Sequence, residues 1–234
     1  VSGSHKARHL FGVAIRESVV PSGDDAWAIA SCGNAALGAS VVAAAVDHDL
    51  DVFVPTWAND AVVAQMEGLG ARVVRTDREP GVIGDPAHHA MVAAVAAGAT
   101  AFSCQGTETP AAIDGGRTIA YEMVDTLAAH DAPAAPRLDR LFVQVGGGAL
   151  GTAVVTGLAR TEIDSLPIVH AVQPVGNHPL VRAWDTLVSE LVGEAIEPTV
   201  SGRLRAAKEL GAFDDPAIRD ALVRLSANPS VYMR

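Results

Sequence analysis

The chain has 234 residues, a formal net charge of −10 and 49% hydrophobic residues. That apolar content suffices for a core of domain size, while the acidic balance excludes non-specific nucleic-acid binding, which needs a basic face. The longest apolar run, 39–46, falls far short of the ~20 residues of a membrane-crossing helix.

Near the start, Ala7, Leu10, Phe11, Ala14 and Ile15 recur at helical spacing, which predicts an amphipathic helix with Lys6 at its head. The apolar run 26–30 reads as a strand that turns through Gly33 and Asn34 into an alanine-rich helix over 34–47. Further strands are predicted at 51–54, 72–75, 100–103, 141–145 and 168–173, with helices between them at 60–69, 86–97, 112–129 and 152–160. Short apolar strands bounded by Gly, Pro and Asp, each leading into a helix, specify an α/β protein with parallel sheets covered on both faces. Aromatic residues make up only 4% of the chain and alanine is abundant, so closely packed helices are expected rather than a core built on rings. Residues 131–136 read as a linker; beyond Glu197 the pattern turns helical and arginine-rich, with no functional reading.

Chemistry concentrates in three places. The first is Gly146-Gly147-Gly148-Ala149-Leu150-Gly151, which follows the apolar run 141–145 and leads into a helix. Bare backbone at a helix N-terminus offers unpaired N–H groups and the positive end of the helix dipole, a site for phosphate. Gly146, Gly148 and Gly151 also match the spacing G-x-G-x-x-G, but no carboxylate ends the next strand, where a dinucleotide's ribose is held. A nucleoside triphosphate loop would carry a lysine that is missing here. A glycine turn that binds nothing is the remaining reading.

The second place is Lys6, in Ser4-His5-Lys6-Ala7-Arg8. It is one of only two lysines, the other being Lys208, beside fifteen arginines. The third is Ser31-Cys32-Gly33-Asn34-Ala35, where a hydroxyl, an amide and backbone N–H groups gather at a helix start that suits a carboxylate. Read alone, Ser31 or Asn34 is an N-cap. Other chemistries lack their residues: the histidines show no HExxH spacing, no Gly-x-Ser-x-Gly is present, and Cys32 and Cys104 form neither a disulfide framework nor a CxxC pair. Reduced thiols fit a cytoplasmic protein, and no metal site is expected.

In this order, the three motifs resemble those of the tryptophan-synthase-β-like superfamily of pyridoxal 5′-phosphate enzymes, fold type II. Threonine synthase, serine/threonine dehydratases, diaminopropionate ammonia-lyase and cysteine synthase belong to it. The resemblance covers most of the chain, and Ile113 to Glu122 looks like a segment of threonine synthases. It implies two parallel-sheet α/β/α domains with the cofactor in the cleft between them. Residues 20–134 would form the smaller mobile domain, and 1–19 with 135–234 part of the larger one.

By motif position Lys6 would be the catalytic Schiff-base lysine. Gly146, Gly147, Gly148, Ala149 and Leu150 would hold the cofactor phosphate, Asn34 would lie near the pyridine 3-oxygen, and Ser31, Cys32, Gly33, Asn34 and Ala35 would surround the substrate carboxylate. The implied function is a lyase or synthase performing β- or γ-elimination or replacement on a small amino acid, threonine synthase-like or serine/threonine dehydratase-like, in a homodimer. The alternatives are a regulatory homologue that binds cofactor or amino acid without turnover and, behind it, an NAD(P)-dependent oxidoreductase. Cys32 stands where many relatives carry serine, and no residue near the C-terminus stands out to face the pyridine nitrogen. Val1 in place of an initiator methionine, and Lys6 so near the start, lead one to expect a piece of a longer protein.

Overall fold

The computed structural model describes residues 3–22, 26–78, 80–106, 108–131, 136–192 and 216–226. Helix α1 (Lys6–Val19) precedes β1 (Trp27–Ala30), α2 (Asn34–Ala45), β2 (Leu50–Pro55), α3 (Asp60–Gly68), β3 (Arg72–Thr76), α4 (Pro86–Ala96) and β4 (Thr100–Ala101). Then come α5 (Ala111–Asp131), β5 (Arg140–Gln144), α6 (Ala149–Leu158), β6 (Ile168–Val172), α7 (Pro179–Val192) and α8 (Pro216–Ser226). Among the described residues no helix is long and apolar enough to cross a membrane.

Four strands form a sheet in the order β3-β2-β1-β4, and every neighbouring pair is parallel. Both faces are covered, which is why β2 is buried at all of its positions. Leu50, Val52 and Val54 join Trp27, Ile29 and Phe102 in a core with Leu10 and Val13 of α1, Val42 of α2 and Met66 of α3. On the opposite face Ala28 and Phe53 pack against Ala87 and Met91 of α4. Alternate side chains of one strand thus serve different helices, as the two-residue period requires. Asp51, buried on β2, is held by the Arg72 guanidinium of β3 with Nε to Oδ1 at 2.6 Å. Strands β5 and β6 form a second sheet. Ala120 and Val124 of α5 meet Val154 and Leu158 of α6 in a third cluster, against which Leu141 of β5 packs.

Helix α5 lies against both α1 and α6, and small residues set how close they come. A Cβ on Gly12 of α1 would stand 2.6 Å from the Gly115 Cα of α5, and one on Gly157 of α6 would stand 2.6 Å from the Ala120 Cβ. The segment Ile113 to Glu122 is therefore a packing surface.

Most predicted boundaries move by a residue or two, and two of the shifts have a clear local cause. Strand β4 ends at Ala101 because the Ser103 amide leaves the ladder and donates to Thr109 Oγ1 at 3.3 Å, while Thr109 Oγ1 donates back to the Ala101 carbonyl. Helix α6 begins at Ala149, inside the glycine run, because Gly148 takes φ +88° as its N-cap, a left-handed conformation that glycine adopts without penalty. Residues 132–135 of the predicted linker, 193–215 with Lys208, and 227–234 lie outside the described residues; of the stretch past Glu197, 216–226 is helical, as α8.

By its internal contacts the chain divides into two compact units, 1–171 and 172–234. In the second, Leu187 and Trp184 of α7 pack with Ala221 of α8, and Arg224 pairs with Glu190 at 3.5 Å.

Candidate functional site

The strand order reverses direction at β1. The chain builds β1, β2 and β3 outward to one side, then crosses to place β4 on the other side of β1. In open parallel sheets, the crevice beyond the carboxyl ends of two such strands is where ligands bind, because the connections leave in opposite directions and part there. A pocket of about 240 Å³ occupies that place. Ile29, Ala30 and Ser31 line it from the end of β1, Ser103, Cys104 and Gln105 from the end of β4, and Gln144 and Gly146 from the end of β5. Gly147 to Leu150, Ala35 and Lys6 complete the wall.

The pocket therefore brings Lys6, Ser31, Ala35 and the whole stretch from Gly146 to Leu150 together from distant parts of the sequence. Cys32, Gly33 and Asn34 are not among the lining residues, and Cys32 and Asn34 are exposed. Lys6 is the first residue of α1, with its backbone N–H donated to Ser4 Oγ at 3.3 Å.

Helix termini decide what the pocket can hold. Helices α3 and α4 are closed by side chains: Asn59 accepts from the Ala61 and Val62 amides, and Asp85 from the Ala87 amide. Helices α2 and α6, whose first turns reach the pocket, have glycine N-caps, Gly33 and Gly148, and no side-chain cap. Ser31 Oγ instead accepts from the Gly33 amide at 3.4 Å, so the N-cap reading of Ser31 and Asn34 does not hold. The opening N–H groups of a helix have no partner within it, and two such ends beside Lys6, the one charged side chain lining the pocket among the described residues, make a site for an anionic ligand. Among the described residues no carboxylate lines it. Cβ atoms on Gly146 and Gly148 would meet nothing nearer than 3.9 Å, so the backbone there is open to a bound group. The residues present thus fit pyridoxal 5′-phosphate: a helix start for the phosphate, a lysine for the aldehyde, and a second helix start for an amino acid's carboxylate. The volume lies just under the ~300–1,000 Å³ usual for ligand clefts, which suits a single-ring ligand and not a dinucleotide.

Ser103, Cys104, Gln105 and Gln144 escaped the sequence reading. The strand order brings Ser103, Cys104 and Gln105 together after β4, and Gln144 joins them from the end of β5. The buried Cys104 thiol donates to the Lys6 carbonyl at 3.8 Å. Burial pushes its pKa up to about 11 against a smaller opposing effect of the Lys6 charge, so it is a neutral thiol. Behind Lys6, His9 is fully buried, with Nδ1 2.8 Å from the Ala112 carbonyl, and its edge faces the ring of His5 at 5.7 Å. Burial lowers the pKa of both imidazoles, and the charge of Lys6 lowers each further.

A strand-end pocket ringed by uncapped helix starts and one amine defines an α/β protein built to hold a small phosphorylated ligand. Residues 1–233 match the model of the pyridoxal-phosphate dependent enzyme family, and the chain belongs to that family. An L-serine dehydratase of Saccharomyces cerevisiae is 27% identical over 181 residues, covering 74% of this chain and 53% of that relative. The chain spans about half the length of the curated relatives it matches. The crystal structure of a pyridoxal 5′-phosphate-dependent aspartate racemase superposes with a TM-score of 0.63 at 22% identity, covering 81% of this chain and 51% of that one. Threonine deaminase isoform 2 of Solanum lycopersicum gives 0.62 at 22% identity, with 83% and 47% covered. The shared architecture is fold type II, as the motifs implied.

Proposed function

We propose that the protein is a pyridoxal 5′-phosphate-dependent lyase that removes a β- or γ-substituent from a small amino acid, as a serine or threonine dehydratase does. The observation that carries this reading is the presence of Lys6 and two uncapped helix starts, those of α2 and α6, around one pocket. The α6 start with Gly146, Gly147, Gly148, Ala149 and Leu150 is assigned the cofactor phosphate. The turn Ser31, Cys32, Gly33, Asn34 and Ala35 is assigned the substrate carboxylate, and Asn34 the ring's 3-oxygen. When bound, the cofactor supplies an electron sink for the pair left on the substrate's Cα. Lys6 is the group placed to take the α-proton, acting as the general base once its amine is free. Expulsion of hydroxide from serine and hydrolysis of the resulting enamine yield pyruvate and ammonia.

The likeness to L-serine dehydratases supports elimination over replacement. The threonine-synthase likeness of Ile113 to Glu122 belongs to a helix that packs against α1 and α6, so it does not select the substrate. Residues 20–134 are assigned to the smaller, moving domain and 1–19 with 135–234 to the larger one. Two free cysteines fit a reducing cytoplasm, and family likeness supports a homodimer.

The test is keto-acid formation from L-serine and L-threonine by the full-length protein loaded with cofactor, alongside phosphate release from O-phosphohomoserine. Keto acid lost in Lys6→Ala is the expected outcome. Phosphate release without keto acid would move the assignment to a threonine synthase. Cofactor bound with no product from any amino acid would make the protein the regulatory homologue.

A further inference from the structure

Within the pocket, Gln105 has a place that none of the motifs assigns. Its backbone is fixed three times over: its amide donates to Ser103 Oγ at 3.0 Å, and its carbonyl accepts from the Thr109 amide at 2.9 Å and the Glu108 amide at 3.1 Å. Its side chain is exposed and has no hydrogen-bond partner among the described residues. The carboxamide lies over the glycine loop, with Oε1 2.6 Å from where a Cβ of Gly147 would stand. Gln144 Nε2 is 3.9 Å from the corresponding point at Gly146.

A carboxamide is the one neutral side-chain group carrying both two donors and an acceptor, and it turns over by a rotation of its last bond. Facing a phosphate at the α6 start, it can present N–H₂ without adding charge. With the backbone already ordered, the contact costs only the rotamer freedom of the side chain. We infer that Gln105 is a cofactor-binding residue: its amide donates to the phosphate over the Gly146 to Leu150 loop, and so selects a phosphorylated pyridoxal over an unphosphorylated one. The inference rests on the glycine loop being the phosphate site.

The test compares the dissociation constants of pyridoxal 5′-phosphate and pyridoxal for the full-length protein, followed by absorbance. Both compounds can join Lys6, so the ratio of the two constants reports on the phosphate end alone. Gln105→Glu keeps the shape and sets a carboxylate against the phosphate; the ratio, taken as the dissociation constant of pyridoxal over that of pyridoxal 5′-phosphate, is expected to fall ~10-fold or more, the size of a lost charge-assisted hydrogen bond. Gln105→Ala, at an exposed side chain that leaves no cavity, is expected to lower the ratio less, with pyridoxal binding unchanged in both variants. A strong preference for the phosphorylated form in the parent protein that survives Gln105→Glu intact would overturn the Gln105 assignment and leave the loop assignment standing. A parent protein that binds both compounds equally would overturn both.

Discussion

Individual side chains around Lys6 carry their protons according to burial, and this can be measured. With its pKa pushed up to about 11 by burial, the Cys104 thiol is ionised in only about one molecule in a thousand at pH 8, and the thiolate is the reactive form. Iodoacetamide is therefore expected to modify the exposed Cys32 and spare Cys104 until the protein unfolds. Equal labelling of the two in the folded protein would contradict the burial argument.

His9 gives a second reading of the same physics. Burial lowers its pKa from the ordinary 6.5, so between the folded and unfolded values the unfolded chain binds more protons and stability falls as pH drops below about 6.5. His9→Asn, whose amide can still donate to the Ala112 carbonyl, is expected to lower the melting temperature at pH 7 but to flatten its decline between pH 7 and 5. His5, shifted the same way, leaves a residual slope. A variant that melts with the parent's full pH dependence would count against His9 as the source.

Among elements, the contrast between capped and uncapped helices separates stability from function. Asn59 and Asp85 cap α3 and α4, away from the pocket lining, so replacing either with alanine is expected to cost about 1 kcal/mol in denaturant unfolding and to leave cofactor affinity unchanged. Gly148→Ala forces a Cβ into φ +88°, at a cost of roughly 1–2 kcal/mol, and should also weaken cofactor binding because the α6 start is displaced. Gly12→Ala drives a methyl group into the Gly115 backbone. Overpacking of this kind typically costs ~1–3 kcal/mol, and since α1 begins with Lys6, cofactor affinity should fall with stability. Unchanged affinity in Gly12→Ala would separate the α1–α5 contact from the placement of Lys6.

For the molecule as a whole, the sequence disclosed the elements more readily than their boundaries. Apolar runs flanked by Gly, Pro and Asp located each strand within a residue or two, and the hydrophobic signature is plainest in β1 and β2, which are buried on both faces. The start of α6 was hidden, because a helix that begins within a glycine run gives no periodic signal until its second turn. Lys6, Ser31 and the glycine loop were legible as motifs, each tied to a backbone shape or a chemistry that few residues supply. Gln105, Gln144, Ser103 and Cys104 were not, since glutamine and serine at a strand end are ordinary in sequence; the placement of β4 beside β1 brings Ser103, Cys104 and Gln105 to the pocket, and Gln144 reaches it from the end of β5.

The account turns on Lys6 being the residue that takes the cofactor. Reduction of the cofactor-loaded protein with borohydride, followed by digestion and peptide mass analysis, fixes the cofactor's point of attachment. With only Lys6 and Lys208 in this sequence, the account predicts a phosphopyridoxyl group on the peptide containing Lys6 and none in Lys6→Ala. Attachment at Lys208, or an unchanged yield in Lys6→Ala, would contradict it.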